Sequence, residues 1–188
     1  MTVKQLACFL IITSCLVLYD KSVSSQTFMA TDGYVEFVST APLLEFKGTS
    51  NNLAGLINLE TKEVDFFVDL ASLDTGNRRR DRDMRQQYLE TEKYPFAEFK
   101  GMLTTEFDPD IEGEQPATVE GDFTMRDISR ELTVSGSLEA TDGGIRVRAG
   151  WTVKLEDFNI DRPRVLFYEL SEVQTINIDI LLKSQNED

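Results

Sequence analysis

Apolar and polar side chains alternate along most of this chain, and this pattern limits the possible folds more than any other feature. The clearest example is Ile145–Leu155, where every second residue is apolar and Arg146, Arg148 and Lys154 lie between them. A period of two is that of a β-strand with one buried face. The pattern predicts about eight strands, in segments that begin at Val35, Leu44, Val64, Ala97, Ala117, Glu131, Ile145 and Val173.

No segment has a helical pattern long enough to cover a sheet of this size. Because a sheet must bury its apolar face against another layer, this sheet has to cover itself, as a β-barrel or a β-sandwich. One short helix is predicted over Gly76–Leu89, with Asp81 or Asn77 as its N-cap. Met84 and Leu89 are expected to face the interior.

The first 25 residues have the features of a secretory signal peptide. Lys4 gives a positive start, Leu6–Leu18 is almost entirely apolar, and small residues at Val23 and Ser25 precede Gln26. The apolar run is too short to span a bilayer comfortably. We therefore expect a cleaved leader, residues 1–25, followed by one domain, residues 26–188, in a secreted or periplasmic protein.

A lipid anchor is the alternative for the same segment. Ile12–Cys15 contains the small residues and the cysteine that lipid attachment requires. The apolar run nevertheless continues through Leu16–Tyr19, where a lipid-anchored chain usually becomes polar. Cleavage near Ser25 is the preferred interpretation, with anchoring at Cys15 as the minor one.

The composition excludes several classes of function. Loss of the leader would remove Lys4, Lys21 and Asp20 and leave 17 of 19 basic and 32 of 33 acidic residues, a net charge of −15. Such a chain is repelled by nucleic acid. It would also contain no cysteine, and the whole sequence has no histidine. Both the usual ligands of zinc and haem and the Ser-His and Cys-His nucleophile systems are therefore missing.

Five arginines lie within eight residues of the predicted helix, between Arg78 and Arg85. In an acidic chain this cluster can bind an anionic head group or a partner, with Arg79, Arg80 and Arg82 as the candidate patch. The simpler interpretation is an outer helix face that solvent and nearby carboxylates neutralise. The second interpretation is favoured.

Acidic residues also cluster late in the chain, at Glu156, Asp157, Asp161, Glu169 and Glu172. Their spacing does not match a calcium-binding loop, which needs ligands at alternating positions and a central glycine. We expect solvated loop carboxylates here, with no metal, no cofactor and no catalysis.

The apolar stripes have two interpretations. An eight-stranded barrel is just wide enough to be filled by side chains or to hold one small ligand. Gly101, Gly121 and Gly136 lie at inward positions, where they either leave room for a ligand or mark bends in the strands. The pattern leaves both interpretations open.

Several short motifs occur in order along the chain. They are Leu73-Asp74-Thr75-Gly76-Asn77, Arg80-Asp81, Met84-Arg85, Tyr88-Leu89, Tyr94-Pro95, Val119–Arg126 and Asp157–Ile160. Together they resemble the YceI-like family of exported lipid-binding proteins, over essentially the whole chain after the leader. The resemblance implies an eight-stranded antiparallel lipocalin-like β-barrel with one short helical excursion near residues 78–90.

The resemblance also implies a function. Members of this family hold a long isoprenoid chain or another amphiphile in an apolar tunnel, without catalysis. The expected partner is such a lipid, with no nucleic acid and no transmembrane segment after the leader; a homodimer is left open. The alternative is a structural or interaction module with a packed core that docks a partner through Arg78–Arg85. The implied barrel lining is Phe37, Phe66, Val68, Phe99, Phe123, Met125, Val134, Val147, Trp151 and Ile178.

Overall fold

Eight antiparallel strands close into a barrel in the computed structural model, which describes residues 27–41, 44–162, 164–165 and 168–185. The predicted leader, including Cys15, lies outside these residues. The barrel strands are β1 (Thr27–Ala41), β2 (Leu44–Asn58), β3 (Glu63–Asp69), β4 (Phe96–Leu103), β5 (Glu114–Met125), β6 (Ile128–Thr141), β7 (Gly144–Lys154) and β10 (Val173–Ser184). Two short strands, β8 (Arg164–Val165) and β9 (Tyr168–Glu169), pair only with each other.

Each barrel strand pairs with its neighbour in the chain, and β1 closes the circle by pairing with both β2 and β10. Val35, for example, lies opposite Ser50 on one side and opposite Ile178 on the other. Closure leaves the barrel sheet, as far as the structure describes it, without a free edge. The predicted eight-stranded antiparallel barrel with one short helical excursion is therefore confirmed, and the sandwich is not the fold.

Every predicted strand start lies within three residues of the observed one except that of β1, which begins eight residues earlier than predicted. Residues 44–58 form one continuous strand, and β1 begins at Thr27 rather than at Val35. The pairing of β1 shifts its register between Ala30 and Val35. Because an extra residue in a strand reverses the side of every following residue, this irregularity hides the alternation at the start of β1.

The helical excursion starts with a side-chain N-cap and ends in an irregular turn. Asn77 is the N-cap, and its side-chain oxygen accepts hydrogen bonds from the backbone N–H groups of Arg79 and Arg80. Helix α1 covers Arg78–Asp83, and the chain continues as one wider π-helical turn over Met84–Tyr88. We call the barrel end that carries this segment the helix end.

The apolar core is densest at the opposite end of the barrel. Its most completely buried side chains include Ile57, Leu138, Ile145 and Ile180 at 2% exposure and Leu182 at 0%. Each fully buried side chain of this size contributes roughly 1.5–3 kcal/mol to folding. One half of the barrel is thus filled by side chains.

Two of the inward glycines mark a close approach of strands and do not widen the interior. Gly101 and Gly121 lie directly opposite each other on β4 and β5. A Cβ atom on Gly101 would overlap the carbonyl oxygen of Glu120, and one on Gly121 would overlap that of Lys100. At this pair, the absence of side chains therefore permits the close approach of two strands.

Candidate ligand-binding cavity

A cavity of about 470 Å³ lies inside the barrel near the helix end. This volume falls within the usual range of sites for small molecules, about 300–1,000 Å³. Its walls are mostly apolar and come from the strands, the helical segment and the residues after β7. The half of the barrel that is filled by side chains lies on the other side of this cavity, away from the helix end.

The structure places the ten residues expected to line the barrel on its inner side, around two separate cavities. Eight of them line the larger one: Phe37, Phe66, Val68, Phe99, Phe123, Met125, Trp151 and Ile178. Val134 and Val147 instead line a second cavity of about 50 Å³, farther from the helix end. The two valines therefore lie too deep for direct contact with the contents of the larger cavity.

Four side chains form the boundary between the two cavities, because they line both: Phe66, Phe99, Trp151 and Ile178. The aromatic rings nearby pack edge to face. Phe123 lies with its centroid 6.0 Å from Trp151 and 5.5 Å from Phe158. Such pairs are worth about 0.5–1.5 kcal/mol beyond their buried area, so this boundary is held firmly.

Two aromatic walls of the cavity depend on glycines that the sequence pattern does not single out. The ring of Phe37 lies against Gly48, and the ring of Phe66 lies against Gly55, where a Cβ atom would overlap the ring in each case. Both glycines are on β2. The missing side chains leave the space against β2 that the two rings occupy, so that the rings do not extend farther into the cavity.

Sequence reasoning missed the part of the wall that loops contribute. Leu155, Ile160 and Leu170 come from the segment between β7 and β10, and Tyr88 comes from the π-helical turn. Leu155 is the last residue of the alternating apolar stripe of β7, whereas Ile160, Leu170 and Tyr88 lie outside any periodic pattern, so the sequence offers no signal for their direction. Further wall residues are Val35, Phe46, Leu53, Leu70, Leu73, Ala97, Val153 and Ile176.

The helical segment closes the helix end with its apolar side. Met84 is buried and Leu89 is half-buried, and both line the cavity, as the predicted interior positions require. The segment is tied down by Asp81, which is only 7% exposed. One of its carboxylate oxygens accepts hydrogen bonds from the backbone N–H of Thr75 at 2.9 Å and from its hydroxyl at 2.6 Å.

The expectation that the arginines all face outward is wrong for Arg80 and Arg85. Arg80 donates to the Thr75 hydroxyl at 2.9 Å and lies 4.1 Å from the centroid of the Phe46 ring. Arg85 donates to the carbonyl oxygen of Leu73 at 2.8 Å. Both guanidinium groups are held by structural contacts. A one-dimensional charge pattern cannot show this, because the acceptors lie outside the helix.

The three remaining arginines are exposed. One of them, Arg79, lies where the cavity opens to solvent at the helix end, which we call the mouth. Arg79 lines the cavity although its side chain is 85% exposed, and its Nε lies 3.8 Å from Asp83. Arg82 pairs with Asp83 at 3.5 Å but does not line the cavity. Arg78 is exposed at the start of the helix. Of the proposed patch, Arg79 and Arg80 thus lie at the mouth and Arg82 lies beside it.

Few polar groups face the apolar interior. Ser39 and Gln174, both buried, line the cavity from neighbouring strands β1 and β10. The amide of Gln174 donates to the carbonyl oxygen of Ser171 at 2.6 Å. The Ser39 hydroxyl oxygen and the Trp151 indole nitrogen are shielded from solvent and have no hydrogen-bond partner among the described residues.

Two residues of the late acidic cluster, Glu156 and Glu172, form a carboxylate pair at the surface. A hydrogen bond with Glu172 raises the pKa of the Glu156 carboxyl. Within the described part of the chain, no three histidine, cysteine, aspartate or glutamate side chains are grouped so that they could hold a metal ion. The side chain of Glu169 lies outside the described residues.

Among residues 27–41, 44–162, 164–165 and 168–185, no helix has the length and apolar character required to cross a membrane.

A closed eight-stranded antiparallel barrel with an apolar cavity beneath a short helix belongs to the class of β-barrels that can enclose a single small ligand. Within that class, residues 20–182 match the YceI-like domain, and the chain belongs to this family. A UPF0312 protein of Photorhabdus laumondii subsp. laumondii is 35% identical over 109 residues. That alignment covers 54% of this chain and 54% of the relative, so the chain spans about half the length of the curated relative that it matches.

Solved structures with the same fold come from several bacteria. A polyisoprenoid-binding domain from Saccharophagus degradans, implicated in plant cell wall breakdown, superposes with a TM-score of 0.72 at 16% identity, covering 86% of this chain and 99% of that one. BcnA of Burkholderia cenocepacia gives 0.64 at 14% identity, over 81% and 96% of the two chains. The YceI protein of Campylobacter jejuni gives 0.56 at 18% identity, over 74% and 85%. At these identities the likeness concerns the fold.

Proposed function

We propose that this protein binds an isoprenoid-type or other amphiphilic lipid in the cavity at the helix end and sequesters or carries it without chemical change. The observation that carries the proposal is the cavity itself, about 470 Å³ with a mostly apolar wall in a barrel whose other half is filled. A protein that needed only a packed core would not maintain such a space, because interiors are normally close-packed. The polyisoprenoid-binding domain of Saccharophagus degradans shares this fold and supports the choice of ligand.

The free energy of binding would come mainly from burial of the ligand chain. Each buried CH₂ group contributes roughly 0.8 kcal/mol, so about ten such groups contribute about 8 kcal/mol. That is the free energy of a micromolar dissociation constant, before the cost of association is subtracted. An apolar chain needs few polar contacts, which fits a wall with few polar groups.

Arg79 is the residue that we propose contacts the head group. It lies at the mouth and is largely exposed, and within the described part of the chain its side chain has only a long contact with Asp83. Arg80, although at the mouth, is already committed to Thr75 and Phe46. Replacement of Arg79 with Gln should therefore weaken binding of an anionic amphiphile more than binding of a neutral one. Arg78→Gln is the matched control and should leave both affinities unchanged.

Extraction of the purified protein with organic solvent, followed by mass spectrometry, tests the proposal directly. We expect a stoichiometric amphiphile from the protein as isolated. Ala97→Phe should abolish its recovery, because Ala97 is buried in the cavity wall between Val68 and Met125. Thr152→Phe adds the same ring to an exposed position on β7 and should change nothing. Equal recovery from both folded variants would contradict the location, and repeated absence of lipid from the unaltered protein would contradict the function.

We further propose that the chain is exported by its leader. Support comes from Lys4, the apolar run Leu6–Leu18 and the small residues before Gln26. Intact mass measurement of the protein made from its full sequence should give a chain that begins at Gln26. A mass that corresponds to diacylglycerol on Cys15 would instead establish the anchored form, and a chain that begins at Met1 would contradict export.

A further inference from the structure

The two cavities follow each other along the barrel, and one layer of side chains separates them. On three strands, the residue that lines both cavities lies between a residue that lines only the larger one and a residue that lines only the smaller one. These sets are Val68, Phe66 and Val64 on β3, Ala97, Phe99 and Leu103 on β4, and Val153, Trp151 and Val147 on β7. The smaller cavity therefore continues the larger one on the side away from the mouth.

The four boundary residues, Phe66, Phe99, Trp151 and Ile178, come from opposite walls of the barrel. In the closed strand order β1-β10-β7-β6-β5-β4-β3-β2, the neighbours β3 and β4 lie across from the neighbours β7 and β10. Phe66 and Phe99 are directly opposite each other in register, and Ile178 pairs with Ala149, two residues before Trp151. Because an eight-stranded barrel is narrow enough for side chains to fill it, these two pairs form a layer across the interior.

The boundary is thin, but packing holds it in place. The Phe66 ring lies against Gly55, and Phe99 lies in register between Phe66 and Phe123. The Trp151 indole is in edge contact with the Phe123 ring, at a centroid distance of 6.0 Å. Aromatic contacts of this kind stabilise a packed arrangement beyond the area that they bury. The boundary is therefore a fixed layer of the interior.

The interior continues only a short way beyond the boundary. The smaller cavity has a volume of about 50 Å³ and an almost entirely apolar wall. Farther along β10, Ile180 and Leu182 are exposed by 2% and 0% and fill the barrel. A CH₂ group takes up close to the volume of a water molecule in the liquid, about 30 Å³, so the larger cavity has room for about sixteen carbon atoms and the smaller one for about two more.

We propose that the boundary sets the maximum chain length of the ligand and that Phe99 is a specificity-determining residue, because its ring separates the larger cavity from the apolar space behind it. This inference rests on the proposed function. It adds that the apolar chain of the ligand ends at the boundary, at about sixteen carbon atoms, and that a longer chain leaves its surplus outside. Each CH₂ group that becomes buried raises the affinity roughly fourfold, whereas a group that stays in solvent adds nothing.

Fatty acids of increasing length test this limit on the unaltered protein. Dodecanoic to docosanoic acid, in steps of two carbons, are compared by displacement of the fluorescent probe N-phenyl-1-naphthylamine. We expect the affinity to rise roughly tenfold per step up to about hexadecanoic acid, and to change less than about twofold per step beyond it. A rise that continues to docosanoic acid would overturn the inference.

Trp151, the single tryptophan of the chain, reports where the ligand chain ends. A bromine atom quenches tryptophan fluorescence on contact. The acid with bromine at the chain end, 16-bromohexadecanoic acid, should quench Trp151 strongly, because this residue belongs to the boundary. The matched control, 2-bromohexadecanoic acid, carries bromine beside the carboxylate, at the mouth, and should quench much less. Equal quenching by both acids, or stronger quenching by the control, would overturn the inference.

Two substitutions, alone and combined, test the role of Phe99. Phe99→Ala should move the length limit upward by at least two carbons, and Phe99→Leu is the milder variant if the alanine variant does not fold. Val147→Ala enlarges the smaller cavity behind the boundary, so alone it should leave the limit unchanged. Combined with Phe99→Ala, it should extend the limit by about two carbons more. A shift caused by Val147→Ala alone, or no further shift in the double variant, would overturn the role of Phe99.

The outcomes separate the inference from the proposed function. If fatty acids bind without a length limit, or if bromine at the chain end does not quench Trp151, the inference is wrong and lipid binding stands. Failure of every acid to bind would also overturn the inference, and absence of extractable lipid from the protein as isolated would overturn the proposed function as well. The length series and the quenching are measured on the unaltered protein, so they do not depend on the folding of any variant.

Discussion

Replacement of Asp81 tests whether one buried carboxylate anchors the helical segment over the cavity. A single carboxylate oxygen accepts both hydrogen bonds from Thr75, and the side chain is almost fully buried. Asp81→Ala would leave two donors without an acceptor. Loss of a hydrogen bond to a charged group costs about 1.5–3 kcal/mol, but the half-buried Thr75 can recover part of this from solvent. We therefore expect a loss of about 2–4 kcal/mol in the free energy of unfolding.

Asp81→Asn separates the charge from the geometry. An asparagine of the same shape keeps the oxygen that accepts both bonds and loses only their charge-assisted part, so we expect a cost of about 1 kcal/mol. Asp83→Ala is the control on the same helix. Asp83 is half-buried, and its side chain makes only long contacts, with Arg79 and Arg82, in the residues that the structure describes. Its removal should therefore change stability by about 0.5 kcal/mol or less.

Urea unfolding followed by Trp151 fluorescence measures all three variants, with the midpoint and the slope reported for each. The expected order of destabilisation is Asp81→Ala, then Asp81→Asn, then Asp83→Ala. If Asp81→Ala costs no more than the Asp83 control, the carboxylate does not anchor the segment. If the alanine and asparagine variants are equally damaging, the charge rather than the acceptor position is what matters, and the argument from geometry is wrong.

Two further perturbations follow from the cavity wall and from the outer surface. Gly55→Ala should displace the Phe66 ring into the cavity and weaken lipid binding, with a loss of stability of about 1–3 kcal/mol from overpacking. At Gly143 the new methyl group would lie 3.3 Å from the end of the exposed Leu181 side chain, which can move aside, so Gly143→Ala should leave binding unchanged and cost much less stability. Binding is followed by displacement of the fluorescent probe N-phenyl-1-naphthylamine. The hydrogen bonds and charge of Arg146 hold the pKa of the Asp179 carboxyl below its ordinary value. This pair therefore stabilises the fold fully above the ordinary aspartate pKa of about 3.9. The contribution is lost as the pH falls through the lower pKa of the folded state. Asp179→Asn should therefore lower the urea midpoint at neutral pH and have progressively less effect toward pH 3, and a difference that is constant with pH would contradict the assignment.

The strands and the helical segment could be located from local patterns, because the signals for them are local. Alternation of apolar residues defines each barrel strand after Val35, and the helix start lies at Asn77, one of the two N-caps that the sequence allowed. The first residues of β1 were not predicted to be part of the strand, because the register shift after Ala30 disturbs the alternation. Closure of the barrel did not follow from the patterns, which left a sandwich open. It depends on the pairing of β1 with β10 across most of the chain.

The side-chain roles in the site were harder to predict than the strands. Arg80 and Arg79 are adjacent and chemically identical, yet Arg80 is held by Thr75 and Phe46, whereas the Arg79 side chain has only a long contact with Asp83 among the described residues. The difference depends on residues outside the helix. The π-helical turn after Asp83 adds a further obstacle, because it changes the angular spacing on which helical-face assignments rest.

The sequence by itself determined that this chain forms about eight strands, each with one apolar face, and one short helix, because these properties depend on the two-residue period of a strand and on composition. Only the tertiary structure decided that one half of the barrel is filled and the other is hollow. That division depends on the packing of the Phe37 and Phe66 rings against Gly48 and Gly55. It also depends on the positions of Leu155 and Ile160 in the segment after β7. The interior volume depends on contacts between residues that are far apart in the chain, so a local sequence pattern cannot predict it.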